Sequence, residues 1–408
     1  MTGFLPFLIV LLAVAFLTKV DFFFYLLYTL FGIYVLGRLW ARRSLAAVSV
    51  HRHHDDRFFL GETLKVSLDL HNRSWLPVLW MRLNDSAPAE LAQGTAFRRV
   101  VSLLPREKTR LSYSLVGRRR GYYPFGPLVT RGGDLMGSAT YEFYQYDSRQ
   151  PEGDFVIVYP RIVALRDLGF PSQSPFGTLH SRERIFEDPS RFHGVRVYQP
   201  GDSLRRMDWK ASARTGALQV RRFEPAIALE TGLFLNLNAA DYPQDARYQS
   251  TELGIVIAAS VAVHLVENRQ AVGLVTSGFD PLQDRTLQPE MAEATASLPP
   301  RKGREHLMHI LDLLARIESA GEQATMPFLD LLRRRSLSLP WGSTVVVITS
   351  HEVSEMMGTL LSLRRRGLVV ILVLTHPGPG FDASAQRAAQ IGVHALRIWS
   401  EGAMDVWR

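Results

Sequence analysis

The apolar positions fall into three regimes along the chain. Two uncharged blocks come first, Phe4–Leu17 and Phe22–Gly37, separated by Thr18-Lys19-Val20-Asp21. Read as helices they run about 21 and 24 Å, slightly short of a hydrocarbon layer of ~30 Å. Flanking residues make up the difference, Lys19 by snorkelling and Trp40 by sitting at the interface. One continuous helix would hold Lys19 and Asp21 near mid-bilayer, at roughly 3 kcal/mol each. The pattern therefore predicts a transmembrane helical hairpin over residues 1–43, with spans at about 4–19 and 22–40. A cleaved signal peptide is the rival reading, but no Lys or Arg precedes Lys19, and the second block would remain. Arg38, Arg42, Arg43, Arg52 and Arg57 crowd the far side of the second block, which predicts a cytoplasmic location for the domains beyond it.

From residue 44 to 160 the period changes to two. Leu64-Lys65-Val66-Ser67-Leu68-Asp69-Leu70 alternates, as does Lys108–Leu115, and turn-formers such as His71-Asn72-Arg73-Ser74 and Gly132-Gly133-Asp134 separate the runs. The spacing predicts seven or eight short strands in an antiparallel β-sandwich of immunoglobulin-like design. One cluster here bears on chemistry: His51, His53 and Asp55 approach a metal-ligand pattern along one strand face. The same residues also suit a solvated strand beside lipid headgroups.

Residues 223–408 alternate strand-like and helix-like blocks. Apolar runs at Leu233–Leu237, Ala271–Thr276, Thr344–Thr349, Leu368–Leu374 and Val393–Trp399 suit buried parallel strands. Helical periodicity covers Thr251–Glu267, Arg304–Ser319, Pro327–Arg335, Ser354–Arg366 and Ala383–Ile391. The alternation predicts an open, doubly wound α/β sheet with ligand-facing loops at the strand carboxyl ends. Those loops carry no G-x-G-x-x-G, no G-x-x-x-x-G-K-[ST] and no G-x-S-x-G. They offer Asn236, Asn238, Ala240 and Asp241 after the first strand, and Ser350, His351 and Glu352 after Thr344–Thr349. Amides and hydroxyls hold a hard divalent ion weakly without convergent carboxylates.

Composition narrows the chemistry. The chain has 408 residues, no cysteine and a net charge of +8, which excludes thiolate metal sites, disulfides and a cysteine nucleophile. Much of the surplus sits in Arg182–Arg222, with ten Arg or Lys against five Asp or Glu. Pro200-Gly201-Asp202-Ser203 reads as a turn, with Asp202 or Ser203 capping a helix over Leu204–Arg214. Three readings compete. Arg196, Tyr198, Gly201, Asp202, Arg205, Asp208, Trp209 and Arg214 form an interdomain clamp of ion pairs around the Trp209 wedge, or the same residues form a protein docking surface. The third is an anion or nucleic-acid site, although no aromatic residues interleave as a stacking platform does.

Several of these residues carry a resemblance. Phe186-Glu187-Asp188-Pro189-Ser190, Gly194–Ser203, Arg206-Met207-Asp208-Trp209, Ser212-Ala213-Arg214-Thr215 and Leu218-Gln219-Val220-Arg221 resemble the signature of the bacterial family called domain of unknown function 58. Arg119-Arg120-Gly121 and Gly133-Asp134-Leu135-Met136-Gly137 make a weaker match. The resemblance implies a von Willebrand factor A-like carboxyl domain, a MoxR-type AAA+ ATPase as partner, and no established enzymatic activity. Where many A-type domains carry an Asp-x-Ser-x-Ser metal loop, this chain reads Asn236-Leu237-Asn238-Ala239-Ala240, a degenerate loop that counts against a divalent ion.

The expected layout is then a membrane hairpin (1–43), a β-sandwich (44–160), a basic linker bearing the signature (161–222) and an α/β von Willebrand factor A-like domain (223–408). The expected role is a non-catalytic adaptor at the bacterial inner (plasma) membrane, its soluble domains in the cytoplasm, without cofactor, metal or nucleic acid. The alternatives are a membrane-bound hydrolase using carboxylates such as Asp202 and Asp208, and a module binding anionic lipid or nucleic acid through Arg118–Arg120, Arg333–Arg335 and Arg364–Arg366.

Overall fold

Two helices lead the chain, α1 (Phe4–Thr18) and α2 (Asp21–Ala46). Between them Lys19 takes a left-handed backbone, φ 52°, which ends α1 and lets the chain double back. Leu8, Leu11 and Ala15 recur at helical spacing and are buried, whereas Phe16, Leu17, Phe22, Tyr25 and Leu36 are exposed. By length and composition α2 is long and apolar enough to cross a membrane, and none of its apolar window is buried. The computed structural model describes residues 4–88, 90–91, 97–134, 140–145, 155–165, 187–199, 207–225, 230–282, 296–319, 326–352, 355–376 and 381–398. The chain divides into two units, Met1–Arg161 and Ile162–Arg408.

Ten strands come next in the first unit: β1 (Val48–His53), β2 (Arg57–Phe59), β3 (Thr63–Asn72), β4 (Val78–Asp85), β5 (Phe97–Leu103), β6 (Lys108–Val116), β7 (Gly121–Pro124), β8 (Leu128–Gly133), β9 (Thr140–Gln145) and β10 (Phe155–Tyr159). They form sheets in the orders β1-β3-β6, β5-β4-β8-β9 and β2-β10-β7. Alternation along β3 sends Leu64, Val66, Leu68 and Leu70 inward, as period-two patterning demands. One core joins Val50, Leu68 and Leu70 to Met81, Leu83, Leu103 and Leu128 of the facing sheet. A second gathers Phe58, Leu64, Val66, Leu115, Val156 and Val158. Phe125-Gly126-Pro127 separates β7 from β8, and the short β2 escapes the period-two pattern because three residues show no period.

The expected boundary after residue 43 is displaced. Helix α2 runs on through Ala46, and Leu45 joins the sandwich core. Gly132 makes room for it: a Cβ there would meet Leu45 Cδ2 at 2.6 Å. Trp40 Nε1 donates to the Pro77 carbonyl at 3.0 Å, and Tyr141 OH donates to the Arg38 carbonyl at 3.3 Å.

The side chain of Arg52, one of the cations crowding the far side of the second apolar block, is buried. Its guanidinium clasps Asp85, with Nε 3.1 Å from Oδ2 and Nη2 on Oδ1, while Nη2 also reaches the Gly126 carbonyl. Tyr113 OH donates to Asp85 Oδ2 at 2.6 Å, and the Phe125 ring lies 4.8 Å beneath the guanidinium. Arg52 lies on β1, Tyr113 on β6 and Asp85 on β4, so the network ties the two facing sheets.

In the second unit β11 (Glu187–Val197) and β12 (Gln219–Pro225) pair antiparallel around α3 (Trp209–Thr215). The expected linker over 161–222 is thus in part an ordered ribbon. Then come β13 (Glu230–Leu235), α4 (Arg247–Glu267), β14 (Ala271–Thr276), β15 (Ser297–Arg301), α5 (Arg304–Arg316), α6 (Phe328–Arg335), β16 (Thr344–Thr349), α7 (Met356–Arg365), β17 (Val369–Leu374), α8 (Phe381–Gln390) and β18 (His394–Arg397). The sheet order is β15-β14-β13-β16-β17-β18, parallel except for β15. This is a doubly wound order whose direction of winding reverses between β13 and β16. Helices α6, α7 and α8 cover one face through Leu332, Leu360 and Ala388. Helix α4 also passes a length-and-composition test for a membrane span, yet 78% of its window is buried. It is the core helix of this sheet, with Gly254 lying against Leu235 and Ile348.

Removing Asp85 should expose the cost of the buried pair. Asp85→Ala is expected to destabilise the sandwich by about 3–5 kcal/mol, because it strands a buried guanidinium. Replacing both partners, Arg52→Met with Asp85→Leu, should recover most of that loss in denaturant titrations. A loss below about 1 kcal/mol in Asp85→Ala would show that the network holds little.

Candidate functional site

Of the eight signature residues, Gly201, Asp202 and Arg205 lie outside the described residues. The other five sit on the β11–α3–β12 ribbon. Helix α3 starts at Trp209, later than expected, and Asp208 is its cap: Oδ1 accepts from Ala211 N at 3.0 Å. Asp202 and Ser203, the caps expected from the sequence, lie outside the described residues. Asp208 Oδ2 also accepts from Arg221 Nε at 3.1 Å. The Ala211 N–H, with the Arg221 guanidinium as a smaller contributor, holds the Asp208 carboxyl below its ordinary range. Ser212 Oγ takes a bond from Gln219 N, and Asp208 N donates to the Gln219 carbonyl. Gly216 closes α3 in the left-handed region, φ 70°. On this braced helix Trp209 is 67% exposed, so its ring is not buried as an apolar wedge. Arg214 lies in the last turn and is exposed, where its charge favours the helix carbonyl end. Arg196 Nη1 donates to the Val197 carbonyl, and Tyr198 N donates to the Leu218 carbonyl.

The second constellation lies where the sheet's winding reverses, at the carboxyl ends of β13 and β16. Asn236 is fully buried and all its side-chain hydrogen-bonding capacity is taken. Its Nδ2 donates to Asp241 Oδ2 at 2.9 Å and to Thr349 Oγ1 at 3.2 Å. Its Oδ1 accepts from Asn238 N at 3.1 Å and from Ser277 Oγ at 3.2 Å. Tyr242 OH donates to the Asn236 carbonyl, and burial, with the Asp241 charge second, pushes that phenol far above its usual range. Ser350 Oγ donates to the Asp241 carbonyl at 2.6 Å. Ala240 is exposed and brings no donor atom, while the buried Asn238 Oδ1 has no hydrogen-bond partner. Glu352 turns away to Arg387, 2.7 Å from Nη2. Asp241 is thus the single carboxylate brought into the cluster by these contacts, and an amide N–H₂ occupies the place beside it.

The histidine cluster does not converge. His53 Nε2 lies 3.4 Å from Asp69, whose carboxylate is already held by Arg110 and so stays below its ordinary range. The His54 ring lies 4.9 Å from that of Phe125, tilted by 38°. Among the described residues no three His, Asp or Glu are placed to share an ion. A concavity of ≈ 410 Å³ on the outer face of the β5-β4-β8-β9 sheet is lined by Arg82, Arg98, Arg99 and Arg131, with Glu142 their sole acidic neighbour in the lining.

Residues 194–378 match the sequence profile of a family described as "Protein of unknown function DUF58". This stretch is a DUF58 region. The chain is also similar to "Uncharacterized protein YeaD" of Bacillus subtilis (strain 168), 24% identical over 299 residues that cover 70% of this chain and 64% of the relative. It is 30% identical over 145 residues to "Uncharacterized protein Rv1480" of Mycobacterium tuberculosis (strain ATCC 25618 / H37Rv), covering 34% of this chain and 41% of that protein. The chain therefore spans under two thirds of the length of each. Among solved structures, the CARDB domain of the PF1109 protein from Pyrococcus furiosus aligns with 27% of this chain and 91% of its own, at 15% identity. Its TM-score of 0.19 is too low to carry an argument.

Within the DUF58 region, sequence reasoning missed Arg221, Ser277 and Tyr242. Arg221 reaches Asp208 because the ribbon folds back on itself, and the one available signal was its place in the last signature motif. Ser277 and Tyr242 follow strand ends in loops with no spacing rule.

Two outcomes test these assignments. Asn236→Asp should weaken the DUF58 region, since it replaces an amide donor with a carboxylate facing Asp241. Two facing carboxylates raise each other's pKa, so the loss should be smaller near pH 5 than near pH 8 in thermal melts. Equal melting points for variant and parent at pH 8 would show that the amide is not the hub. Asp208 runs the other way: its carboxyl is depressed, so its contribution is present above the unfolded carboxylate range and lost as pH falls through the folded value. Protection of the α3 amides, measured relative to their intrinsic exchange at each pH, should fall on that acid side, and Asp208→Asn should remove the dependence.

Proposed function

We propose that this protein is a membrane-tethered adaptor without catalysis of its own, serving a MoxR-type AAA+ ATPase. In this reading the α1–α2 hairpin anchors it in the bacterial inner membrane, its later domains face the cytoplasm, and the immunoglobulin-like sandwich acts as a spacer. The DUF58 region works as a von Willebrand factor A-like binding domain. Paired antiparallel sheets support the first likeness. The sheet order, its antiparallel edge strand and the polar loop cluster at its winding reversal support the second.

The observation that carries the reading is Trp209. A mostly exposed indole on a seven-residue helix, braced by a cap, an ion pair and a β-ribbon, is a preorganised anchor of the kind that dominates protein interfaces. The switch-point polar groups instead spend their bonds on each other, which favours binding over turnover.

The test uses the full chain in nanodiscs with a purified MoxR-type ATPase from the same bacterium. The parent should bind, and Trp209→Ala should weaken binding by at least about tenfold, the loss expected of a hot-spot tryptophan. Unchanged affinity would remove the docking role from Trp209, and absence of binding by the parent would sink the adaptor reading.

A further inference from the structure

We propose that the end of the sandwich beside α2 is a second membrane contact: the β3–β4 loop and the β5–β6 turn seat Trp75 and Leu104 in the interfacial layer of an anionic bilayer. This rests on reading α2 as a membrane span.

Trp75 is 75% exposed and Leu104 67%. Side chains this apolar and this uncovered, lying together, mark a surface with a partner. Their exposure is built rather than accidental. Asn72, fully buried, donates from Nδ2 to the carbonyls of both Leu76 and Leu104 at 2.9 Å, so one side chain clamps the two loops. Its Oδ1 accepts from Ser74 N, Ser74 Oγ accepts from Leu76 N, and Arg106 N donates to the Ser74 carbonyl. The two loops form a single rigid ledge.

The ledge has a fixed depth relative to α2. Trp40 Nε1 bonds the Pro77 carbonyl, two residues past Trp75, and Arg73 N donates to the Ala47 carbonyl just beyond the helix. The apolar stretch of α2, Phe22–Gly37, spans roughly 24 Å at 1.5 Å per residue, a few Å short of the hydrocarbon thickness, so the next two turns reach the interface. Trp40 therefore falls at headgroup level, and a loop bonded to its indole falls there too. Aromatic and aliphatic side chains ringed by cations are the chemistry of that layer.

Charge selects an anionic surface. Arg42 and Arg43 on α2, with Arg73, Arg106 and Lys108 on the ledge, are exposed and have no ion-pair partner among the described residues. Glu107, whose carboxylate accepts from Leu104 N and Thr109 Oγ1, offsets one of these five charges and leaves the ledge cationic. The arginine-lined face of the adjoining sheet adds to the same field.

The chain has no cysteine, so one introduced thiol labels one place. Leu104→Cys, Phe31→Cys and Lys65→Cys, each in the full chain reconstituted into phosphatidylglycerol-rich vesicles, carry a nitroxide whose relaxation by oxygen and by a water-soluble nickel chelate is compared. Position 31 reports α2, and position 65, exposed near the other end of β3, reports water. The expected oxygen-to-nickel ratio at 104 is several-fold above that at 65 and below that at 31, and it falls in phosphatidylcholine vesicles. A ratio at 104 equal to that at 65, with 31 in lipid, would overturn the ledge and leave the span intact. Shielding of 104 from both reagents would overturn it in favour of a covering protein. A water-like ratio at 31 would overturn the span reading itself.

Discussion

Everything in the first unit hangs on Leu45 meeting Gly132. A helix that leaves a membrane and then meets a flexible linker tells its domain nothing about orientation. Here α2 continues unbroken until its last turn becomes part of the sandwich core, and Gly132 supplies the missing side chain's worth of space that this approach requires. The hydrogen bonds from Trp40 and Tyr141 fix the azimuth. The sandwich is therefore held at one height and one rotation on α2.

Both units handle buried polarity in the same manner, by saturating it. Asp85 receives a guanidinium and a phenol, and the cation beneath finds a backbone carbonyl and an aromatic face. Asn236 is satisfied on every valence by loop groups. Such networks are costly to break and rigid when complete. Among the described residues the buried Ser49 Oγ, Asn238 Oδ1, Arg247 Nε and Ser343 Oγ, left without a hydrogen-bond partner, are the exceptions.

Legibility followed periodicity. Strands β14 and β16 coincide with the runs Ala271–Thr276 and Thr344–Thr349, because a strand buried on both faces is an uninterrupted apolar word. β15 was invisible, since Ser-Leu-Pro-Pro-Arg reads as a loop, and only the free edge of a sheet tolerates it. The burial of the Arg52 side chain was illegible for a different reason: a cation after an apolar block counts only as flanking charge, and its carboxylate partner lies 33 residues away. The site divides likewise. Asn236, Asn238 and Asp241 were visible as a loop, but that Asn236 saturates itself against Thr349 and Ser277 depends on long-range closure that no local spacing encodes.

The prolines of β15 have a bearing on assembly. An uncovered border of a parallel sheet is a template on which another molecule's extended segment can grow. Pro299 and Pro300 delete two successive N–H donors from β15, the Pro300 nitrogen being the one that lies against Gly273, and Gly273 is small enough to let the segment lie close against β14. An extended segment of another molecule thus meets a strand short of donors on that flank, which disfavours growth of the sheet by strand addition.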